Sequence, residues 1–249
     1  TKEQYDETYN KEYILKRVND WLEKYFGKDH GITLGISETS LKDENAMVTA
    51  LIYASFLGTM MNHGVEFFTP WSWDAGMYEV AHLFSRIGKE YRVESVSSND
   101  SLVSGYSSIS NAGDSLTVIF VNRAESAAQN VELSLKNFKV NPGEVTTLTL
   151  SELKGETFDS HTQNALKKGS LQVSADGKAS LSLKAKSITA VMFATNEPEA
   201  PIKTSKILAE NILNYKDGKW VVQNSSGQVF EALLFNCLGK QVKKKKLNS

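Results

Sequence analysis

Hydrophobic and polar positions change their period along the chain. In residues 1–91, apolar side chains recur at helical spacing in three segments, and short apolar runs at 32–38 and 65–69 separate these segments. Residues three and four apart share one face of a helix, whereas short continuous apolar runs are typical of buried strands. The pattern predicts helix, strand, helix, strand, helix. Because short loops join these elements, we expect two parallel, buried strands that are covered by the helices.

Residues with defined roles at helix ends support these boundaries. Gly27 ends the first predicted helix, and Asp43 or Asn45 can cap the second, which ends at Gly64. The third helix is predicted over about 76–89. The apolar faces comprise Tyr13, Ile14, Val18, Trp21, Leu22 and Tyr25, then Met47, Ala50, Leu51, Ala54, Leu57 and Met61, and finally Val80, Leu83, Phe84 and Ile87.

Residues 92–195 change to the alternating pattern of strands. Asp176-Gly177 is a tight-turn pair and predicts a hairpin between two of these strands. Strand spacing of this kind is typical of an antiparallel β-sandwich. The predicted strands cover 115–121, 131–135, 145–150, 171–173, 179–183 and 188–193.

The remaining residues complete a predicted organisation of α/β followed by all-β. The segment 196–204 carries two prolines and two glutamates and is typical of an extended linker. Residues 205–249 form a small β tail, in which 230–242 predicts strand, turn, strand. We therefore expect an α/β part at 1–91, a β-sandwich at 92–195, a linker at 196–204 and the tail.

Composition narrows the function classes. The 249 residues carry a net charge of -1, which gives no long-range attraction for nucleic acid. No apolar run is long enough to span a bilayer. The single cysteine, Cys237, excludes an internal disulfide and a cysteine-based zinc site. The four histidines are scattered without ligand spacing, and there is no phosphate loop or nucleophile elbow. We therefore expect no metal and no organic cofactor.

The candidate chemistry lies where the two predicted parallel strands end. Glu38 closes the first strand in Gly-Ile-Ser-Glu-Thr-Ser, and Trp71 and Trp73 follow the second in Thr-Pro-Trp-Ser-Trp. Ligands meet βα proteins at this edge, and sugar rings stack on flat aromatic faces. A carboxylate beside such a wall suits glycoside cleavage. Asp74 and Glu79 are candidates for hydrogen bonds to sugar hydroxyls, or are carboxylates favoured by a helix start. The alternatives are an exposed strand-end Glu38 and tryptophans that pack under a loop.

The order of the predicted elements resembles the C-terminal third of retaining (β/α)8 glycoside hydrolases. It runs from a strand with Ile-Ser-Glu through a helix, a strand with Thr-Pro-Trp-Ser-Trp and a second helix to the sandwich. The likeness covers about residues 10–195 and is strongest to family 44, the endoglucanases and xyloglucanases whose barrel is joined to a β-sandwich. It implies that 32–38 is the seventh barrel strand, Glu38 the nucleophile, and 65–69 the eighth strand. It also implies subsites lined by Trp71 and Trp73, and a β-1,4-glucan or related plant polysaccharide as substrate.

The chain departs from that family pattern. Six barrel strands, including the one with the acid/base, are missing, and an eight-stranded barrel typically takes about 250 residues. The chain also opens at Thr1 in the middle of a pattern. We therefore expect the C-terminal part of a longer enzyme, inactive by itself. The triplet Asn196-Glu197-Pro198 matches the family's acid/base motif, but it follows the sandwich and is assigned to the linker.

The tail adds a second resemblance. Leu-Phe-Asn-Cys-Leu-Gly-Lys-Gln-Val at 234–242 is similar to the C-terminal sorting domain of the type IX secretion system, which implies export or display at the cell surface. A small ancillary β-domain is the alternative. Two other functions stay open for the whole chain: a non-catalytic carbohydrate-binding or cell-surface module, and an exo-acting glycosidase such as an arabinofuranosidase. The sequence leaves the oligomeric state open.

Overall fold

The structure is a computed structural model that describes residues 13–153 and 165–198, together with four strands between 211 and 247. The chain divides into two compact units, Thr1–Ile202 and Lys203–Ser249. The candidate site lies in the first unit.

The first unit begins with alternating helices and strands, in the order that the sequence predicts. The two strands pair in parallel, with Leu34 beside Val65 and Thr39 beside Pro70, as expected. The third helix continues as one π-helical turn, Leu83–Ile87, closed by a 2.8 Å bond from the Gly88 N–H to the Leu83 carbonyl. The elements are α1 (Tyr13–Phe26), β1 (Leu34–Thr39), α2 (Ala46–Asn62), β2 (Val65–Pro70) and α3 (Met77–His82).

The helix ends confirm the roles of the capping residues. The side-chain oxygen of Asn45 accepts hydrogen bonds from the Met47 and Val48 N–H groups, at 2.9 and 3.3 Å, so Asn45 is the N-cap of α2. Gly27 directly follows α1 with φ +83°, and Gly64 follows the cap of α2 with φ +68°. These left-handed conformations cost glycine little, which is why the helices end there.

The burial of β1 and β2 differs from the prediction. Among the described residues, neither strand contains a fully buried side chain. Phe68 packs on α2, with its ring centroid 6.0 Å from that of Tyr53 and 5.6 Å from that of Phe56. Phe67 points to the opposite face, is 55% exposed, and its ring lies over Gly35. The expectation of buried strands was wrong, because α2 covers one face of this pair while the other face presents Phe67 to solvent.

The rest of the first unit is antiparallel β structure. Six strands form one sheet in the order β3-β4-β5-β10-β7-β8, and β6 pairs with β9 in a separate two-stranded sheet. All six predicted strands are confirmed, with ends that differ by at most four residues, while β3 and β4 were not predicted. The bounds are β3 Tyr91–Val93, β4 Val103–Ile109, β5 Ser115–Asn122, β6 Gln129–Ser134, β7 Gly143–Leu150, β8 Lys167–Val173, β9 Lys178–Leu183 and β10 Ser187–Ala194.

The six-stranded sheet buries apolar side chains on both faces. On β5, Ile119 and Val121 pack with the helices, whereas Val118 and Phe120 pack towards β6 and β9. Side chains alternate between the faces of a strand, so one strand serves both cores. Helix α2 approaches the sheet closely at Gly58, where an added Cβ would lie 2.4 Å from the Tyr106 ring. The result is a helical layer, a six-stranded sheet and a two-stranded sheet.

The predicted hairpin at Asp176-Gly177 needs correction. The turn itself forms, with Gly177 at φ +73° and its N–H bonded to the Ser174 carbonyl at 3.0 Å. However, β8 before it pairs with β7, and β9 after it pairs with β6. The tight turn therefore moves the chain from one sheet to the other. The turn residues fix the reversal and not the partner of each strand.

The second unit consists of two antiparallel strand pairs in its described residues. Strand β13 (Phe230–Phe235) pairs with β14 (Gln241–Leu247). The first of the two strands expected within 230–242 is confirmed, whereas the second begins only at Gln241 and continues beyond that segment through the lysine run. Strand β11 (Asn211–Lys216) pairs with β12 (Lys219–Asn224), and neither was predicted. Most of the proposed linker and residues 236–240 of the sorting-like motif lie outside the described residues.

Candidate functional site

Glu38 lies next to last in β1, at the carboxyl edge of the parallel pair, and its side chain is exposed. The strand register is irregular between Ile36 and Thr39, so Glu38 sits where regular pairing is interrupted. The Thr69 hydroxyl donates to the Ser37 carbonyl and holds this irregular segment against β2. A carboxylate on a bulged strand end can be aimed differently from its neighbours.

The tryptophans follow β2 at the same edge. The Trp71 N–H donates to the Thr39 carbonyl at 2.8 Å, which extends the strand pairing beyond Pro70 and places Trp71 beside the end of β1. Trp71 is 71% exposed and Trp73 is 38% exposed. Neither indole is therefore buried under a loop.

Trp73 has an aromatic neighbour that the sequence analysis missed. The rings of Trp73 and Tyr78 are stacked, with centroids 5.7 Å apart and planes inclined by 17°. Tyr78 is the second residue of α3 and is half-buried. The available signal was an aromatic residue five positions after Trp73 and across a glycine turn, but the pattern of α3 drew attention only to its core face.

The turn between Trp73 and α3 is held from several sides. The Met77 N–H donates to the Asp74 carbonyl at 3.1 Å, and the Asp74 N–H donates to the Met77 sulfur at 3.1 Å. Gly76 has φ +84°, and an added Cβ would lie 2.9 Å from Cδ1 of Leu153 and 3.0 Å from Cβ of Ala50. This position requires glycine both for its backbone and for its close packing.

The two acidic candidates near the turn have different environments. Asp74 is half-buried and lies directly at the turn, so it remains a candidate for sugar contact. Glu79 is only 2% exposed, and its carboxylate accepts a 3.4 Å hydrogen bond from the Ala165 N–H. Glu79 therefore anchors α3 to the segment before β8 and faces the core.

Two further carboxylates, Glu66 and Glu197, are engaged elsewhere. Glu66 on β2 is exposed and accepts a hydrogen bond from the Thr33 hydroxyl. Glu197, in the triplet assigned to the linker, is 3.3 Å from the Lys139 amine and follows β10 of the large sheet. In the part of the chain that the structure describes, no three His, Cys, Asp or Glu side chains come together as a metal site.

One cavity lies away from these residues. It is an open groove of about 520 Å³ along α2, lined by apolar side chains such as Val48, Ile52 and Phe56 and also by Arg123 and Lys186. Neither Glu38 nor the tryptophans line this groove. Glu38, Trp71 and Trp73 are instead exposed to solvent. None of the described helices is long and apolar enough to cross a membrane.

No protein-family model matches this sequence, and no curated protein matches it. Solved structures do. The bifunctional glucanase-xylanase CelM2, from a metagenome library, matches with a TM-score of 0.62 and 18% identity over 74% of this chain. A Paenibacillus polymyxa xyloglucanase of glycoside hydrolase family 44, solved with xyloglucan, matches with a TM-score of 0.61 and 14% identity, also over 74% of this chain.

The chain shares its fold with family 44 glycoside hydrolases. It spans only about a third of the length of the two solved structures described above, 34% of CelM2 and 36% of the Paenibacillus enzyme. The fold is also shared more widely. An α-L-arabinofuranosidase from Thermotoga maritima matches with a TM-score of 0.54 and 14% identity, over 74% of this chain and 48% of its own. The fold resemblance expected from the sequence is thus confirmed.

Proposed function

We propose that this chain supplies the nucleophile and part of the substrate platform of a retaining β-glycanase. The observation that carries the proposal is the common position of Glu38 and Trp71 at the carboxyl edge of the parallel pair, where the Trp71 N–H bonds to the residue after Glu38. Both side chains are exposed at that edge. A carboxylate next to an accessible indole meets the basic needs of glycoside cleavage.

In this mechanism a carboxylate oxygen of Glu38 attacks the anomeric carbon. The bond from that carbon to the glycosidic oxygen breaks, and a separate acid protonates the leaving oxygen. Water then attacks the glycosyl ester, returns the original anomeric configuration and releases Glu38. The indole faces of Trp71 and Trp73 hold the neighbouring sugar rings, and Asp74 contacts their hydroxyl groups.

The acid/base is proposed to lie outside the described residues. Retaining enzymes need it about 5–5.5 Å from the nucleophile. Glu66 is bonded to Thr33 and Glu79 to the backbone of Ala165, so neither is our candidate. Since the chain spans about a third of the similar structures, we assign the acid/base and the other barrel strands to the rest of the full-length protein.

The open face of β1 and β2 supports this division. Phe67 exposes half of its ring on that face, over Gly35, where a closed barrel would have its packed interior. We therefore propose that residues 1–91 complete a (β/α)8 barrel and that residues 92–195 form the attached β-sandwich. Neighbouring strands from the rest of the protein would cover Phe67.

The proposed substrate is a β-1,4-glucan or a related plant polysaccharide. One structural neighbour is a glucanase-xylanase and another is a xyloglucanase solved with xyloglucan. The open aromatic edge can accommodate a continuous chain of sugars. Polymers of this kind lie outside cells, so we also propose that the protein is secreted or held at the cell surface, with residues 205–249 as a sorting domain.

The test is the substitution Glu38→Gln in the full-length protein, assayed on xyloglucan and on soluble cellulose derivatives. Loss of a nucleophile should lower turnover by at least about a thousand-fold while oligosaccharide binding persists. Glu66→Gln is the matched control, since it removes an exposed carboxylate from the neighbouring strand and should leave turnover unchanged. With Glu38→Gly, added azide should restore cleavage and yield a glycosyl azide of inverted configuration. Unchanged turnover in Glu38→Gln would remove the central claim.

A second candidate is an exo-acting glycosidase, favoured by the match to the arabinofuranosidase. Product analysis separates the two. An endo-acting enzyme lowers the viscosity of a polysaccharide solution early and releases oligosaccharides of mixed length. Release of single arabinose units without a fall in viscosity would favour the second candidate. Binding without any hydrolysis would favour a carbohydrate-binding module.

A further inference from the structure

Strand β1 carries one extra residue close to its carboxyl end. The pairs on either side of it are Ile36 with Phe68 and Thr39 with Pro70. Three steps of β1 therefore span two steps of β2, and both Ser37 and Glu38 lie opposite Thr69. An extra residue of this kind is a β-bulge, which is rare between parallel strands and over-represented next to active sites. The direction of the Glu38 side chain thus depends on what holds the bulge.

The bulge decides which face of the sheet Glu38 occupies. Alternate residues of a strand point to opposite faces, and Ile36 shares the face of its partner Phe68, which packs on α2. In a regular strand Glu38, two residues after Ile36, would point to that covered face. The extra residue instead leaves Ser37 and Glu38 as two successive exposed residues and returns Thr39 to a half-buried position. Without the bulge the carboxylate would be directed towards α2.

The hydroxyl of Thr69 fixes the bulge on β2. It donates a hydrogen bond to the Ser37 carbonyl, directly before Glu38. Directly after Glu38, the Thr39 carbonyl accepts the Trp71 N–H at 2.8 Å. The backbone is therefore tied to the neighbouring strand on both sides of the carboxylate. The bond before Glu38 comes from a side chain, so a substitution can remove it.

We propose that Thr69 is a positioning residue, which keeps the Glu38 carboxylate on the open face of the strand pair by holding the bulge that contains it. This rests on the proposed function, in which Glu38 is the nucleophile. A nucleophile must approach the anomeric carbon in line with the leaving group, and a misplacement of about 1 Å can lower the rate about a hundred-fold. In this role Thr69 acts through the backbone of Ser37 and not by contact with the substrate.

A second irregularity in the same strand pair provides a matched control. At the opposite end of the pair the extra residue is Glu66 of β2, which lies between the partners of two successive residues of β1. The Thr33 hydroxyl donates to the Glu66 carboxylate. Thr33 and Thr69 are both exposed threonines whose hydroxyls join the two segments at an extra residue, but only Thr69 lies beside Glu38. Thr33→Val therefore tests for a general loosening of the strand pair.

The experiment uses the full-length protein and a fluorinated cellobioside with a dinitrophenolate leaving group as the probe. The Glu38 carboxylate forms a bond to the anomeric carbon and the bond to the dinitrophenolate oxygen breaks, while the fluorine slows the later hydrolysis, so the glycosyl ester accumulates. Because the dinitrophenolate leaves without being protonated, the rate of ester formation does not depend on the acid/base. Mass spectrometry follows the labelled Glu38 peptide, and the dependence on probe concentration separates probe binding from ester formation.

The variants differ in whether residue 69 carries a hydroxyl. Thr69→Val replaces the hydroxyl by a methyl group and should lower the rate of ester formation roughly ten- to a hundred-fold, while probe binding changes by less than about three-fold. Thr69→Ala should behave in the same way, so the result does not depend on the folding of one variant. Thr69→Ser keeps the donor and should recover most of the wild-type rate. Thr33→Val should be labelled at the wild-type rate.

The outcomes separate the two proposals. If the wild type is not labelled at Glu38, the proposed nucleophile fails and the role of Thr69 fails with it. If the wild type is labelled and Thr69→Val and Thr69→Ala are labelled as fast, only the positioning role is overturned. The same holds if Thr69→Ser is as slow as Thr69→Val, since the hydroxyl would then not be responsible, or if Thr33→Val slows labelling equally. Weaker probe binding with an unchanged rate of ester formation would also overturn it.

Discussion

The guanidinium of Arg123 donates a hydrogen bond of 3.0 Å to the hydroxyl oxygen of Ser55. Ser55 lies in α2, and Arg123 directly follows β5 of the large sheet. The same guanidinium donates to the Ser104 hydroxyl at 2.6 Å and to the backbone carbonyls of Asp100 and Ser101. One side chain therefore joins the helix that flanks the candidate site to the sheet behind it.

We predict that Arg123→Ala lowers the free energy of unfolding by about 2–3 kcal/mol, since it removes several charge-assisted hydrogen bonds from a half-buried position. Arg123→Lys should recover less than half of that loss, because an amine cannot reproduce the planar fork of donors. Urea denaturation measures the free energy of unfolding of both variants. Lys186→Ala is the control, since its ion pair with the largely exposed Glu125 should contribute less than about 1 kcal/mol.

The neighbouring Asn122 gives a second, pH-dependent prediction. Its side chain is fully buried and donates to the carbonyls of Leu183 and Lys184 at 3.2 and 2.7 Å, while its oxygen accepts the Ala124 N–H. In Asn122→Asp a carboxyl group would face two carbonyl oxygens, which costs about 2–4 kcal/mol or more.

Burial beside those oxygens would raise the pKa of the introduced carboxyl in the folded state above its unfolded value. The folded state then binds the proton more tightly, so the variant should lose stability as the pH rises from about 4 to about 7. Unfolding followed at both pH values checks this. Asn122→Leu, which is similar in size but has no titrating group, should be destabilised without the extra pH dependence.

The helices and most strands could be predicted because their signals are local. The apolar sequence of α2, the Asn45 cap and Gly64 all agree, and each is set by residues within the element or next to it. Strand β4 was missed because Val-Ser-Gly-Tyr-Ser-Ser-Ile carries small polar side chains, and Ser104, Ser107 and Ser108 are buried by neighbours that are distant in sequence. The sheet partners of β8 and β9 depend in the same way on long-range packing.

At the candidate site, too, the sequence predicts only what local patterns determine. The common edge of Glu38 and Trp71 follows from a parallel strand pair, so sequence reasoning could place them together. The Trp73–Tyr78 stack depends on the direction of α3 after Gly76, and the burial of Glu79 depends on Ala165, which is 86 positions away. The exposure of Phe67 depends on which strands cover that face. None of these is a property of a local pattern.

The turn that joins the two sheets contains a carboxyl group, that of Asp176, whose lowered pKa can be measured. The Lys178 amine lies 2.7 Å from the Asp176 carboxylate, and the Ser174 hydroxyl bonds to the same group at 2.5 Å. The hydrogen bonds from Lys178 and then Ser174 hold the pKa of Asp176 below its usual 3.8. A lowered folded-state pKa stabilises the turn above the unfolded value, and this contribution is lost as the pH falls through the folded pKa.

NMR titration of the Asp176 side chain should therefore give a midpoint below 3.8. The same contacts raise the pKa of Lys178, so its stabilising contribution is present below its unfolded value of 10.5 and is lost as the pH rises through the folded value. Substituting Ser174→Ala should move the Asp176 midpoint upward. A midpoint at or above 3.8 in the unmodified protein would contradict the hydrogen-bonded turn.

Gly76 offers the sharpest test of the turn between Trp73 and α3, because Gly27 is a natural control. Both have nearly the same positive φ, +84° and +83°, but an added Cβ at Gly27 meets nothing within 4 Å, whereas at Gly76 it lies 2.9 Å from Leu153 and 3.0 Å from Ala50. Gly27→Ala should cost about 1 kcal/mol for its backbone alone. Gly76→Ala should cost about 1–3 kcal/mol more through overpacking. Equal losses of unfolding free energy would show that the turn is not packed against α2 as described.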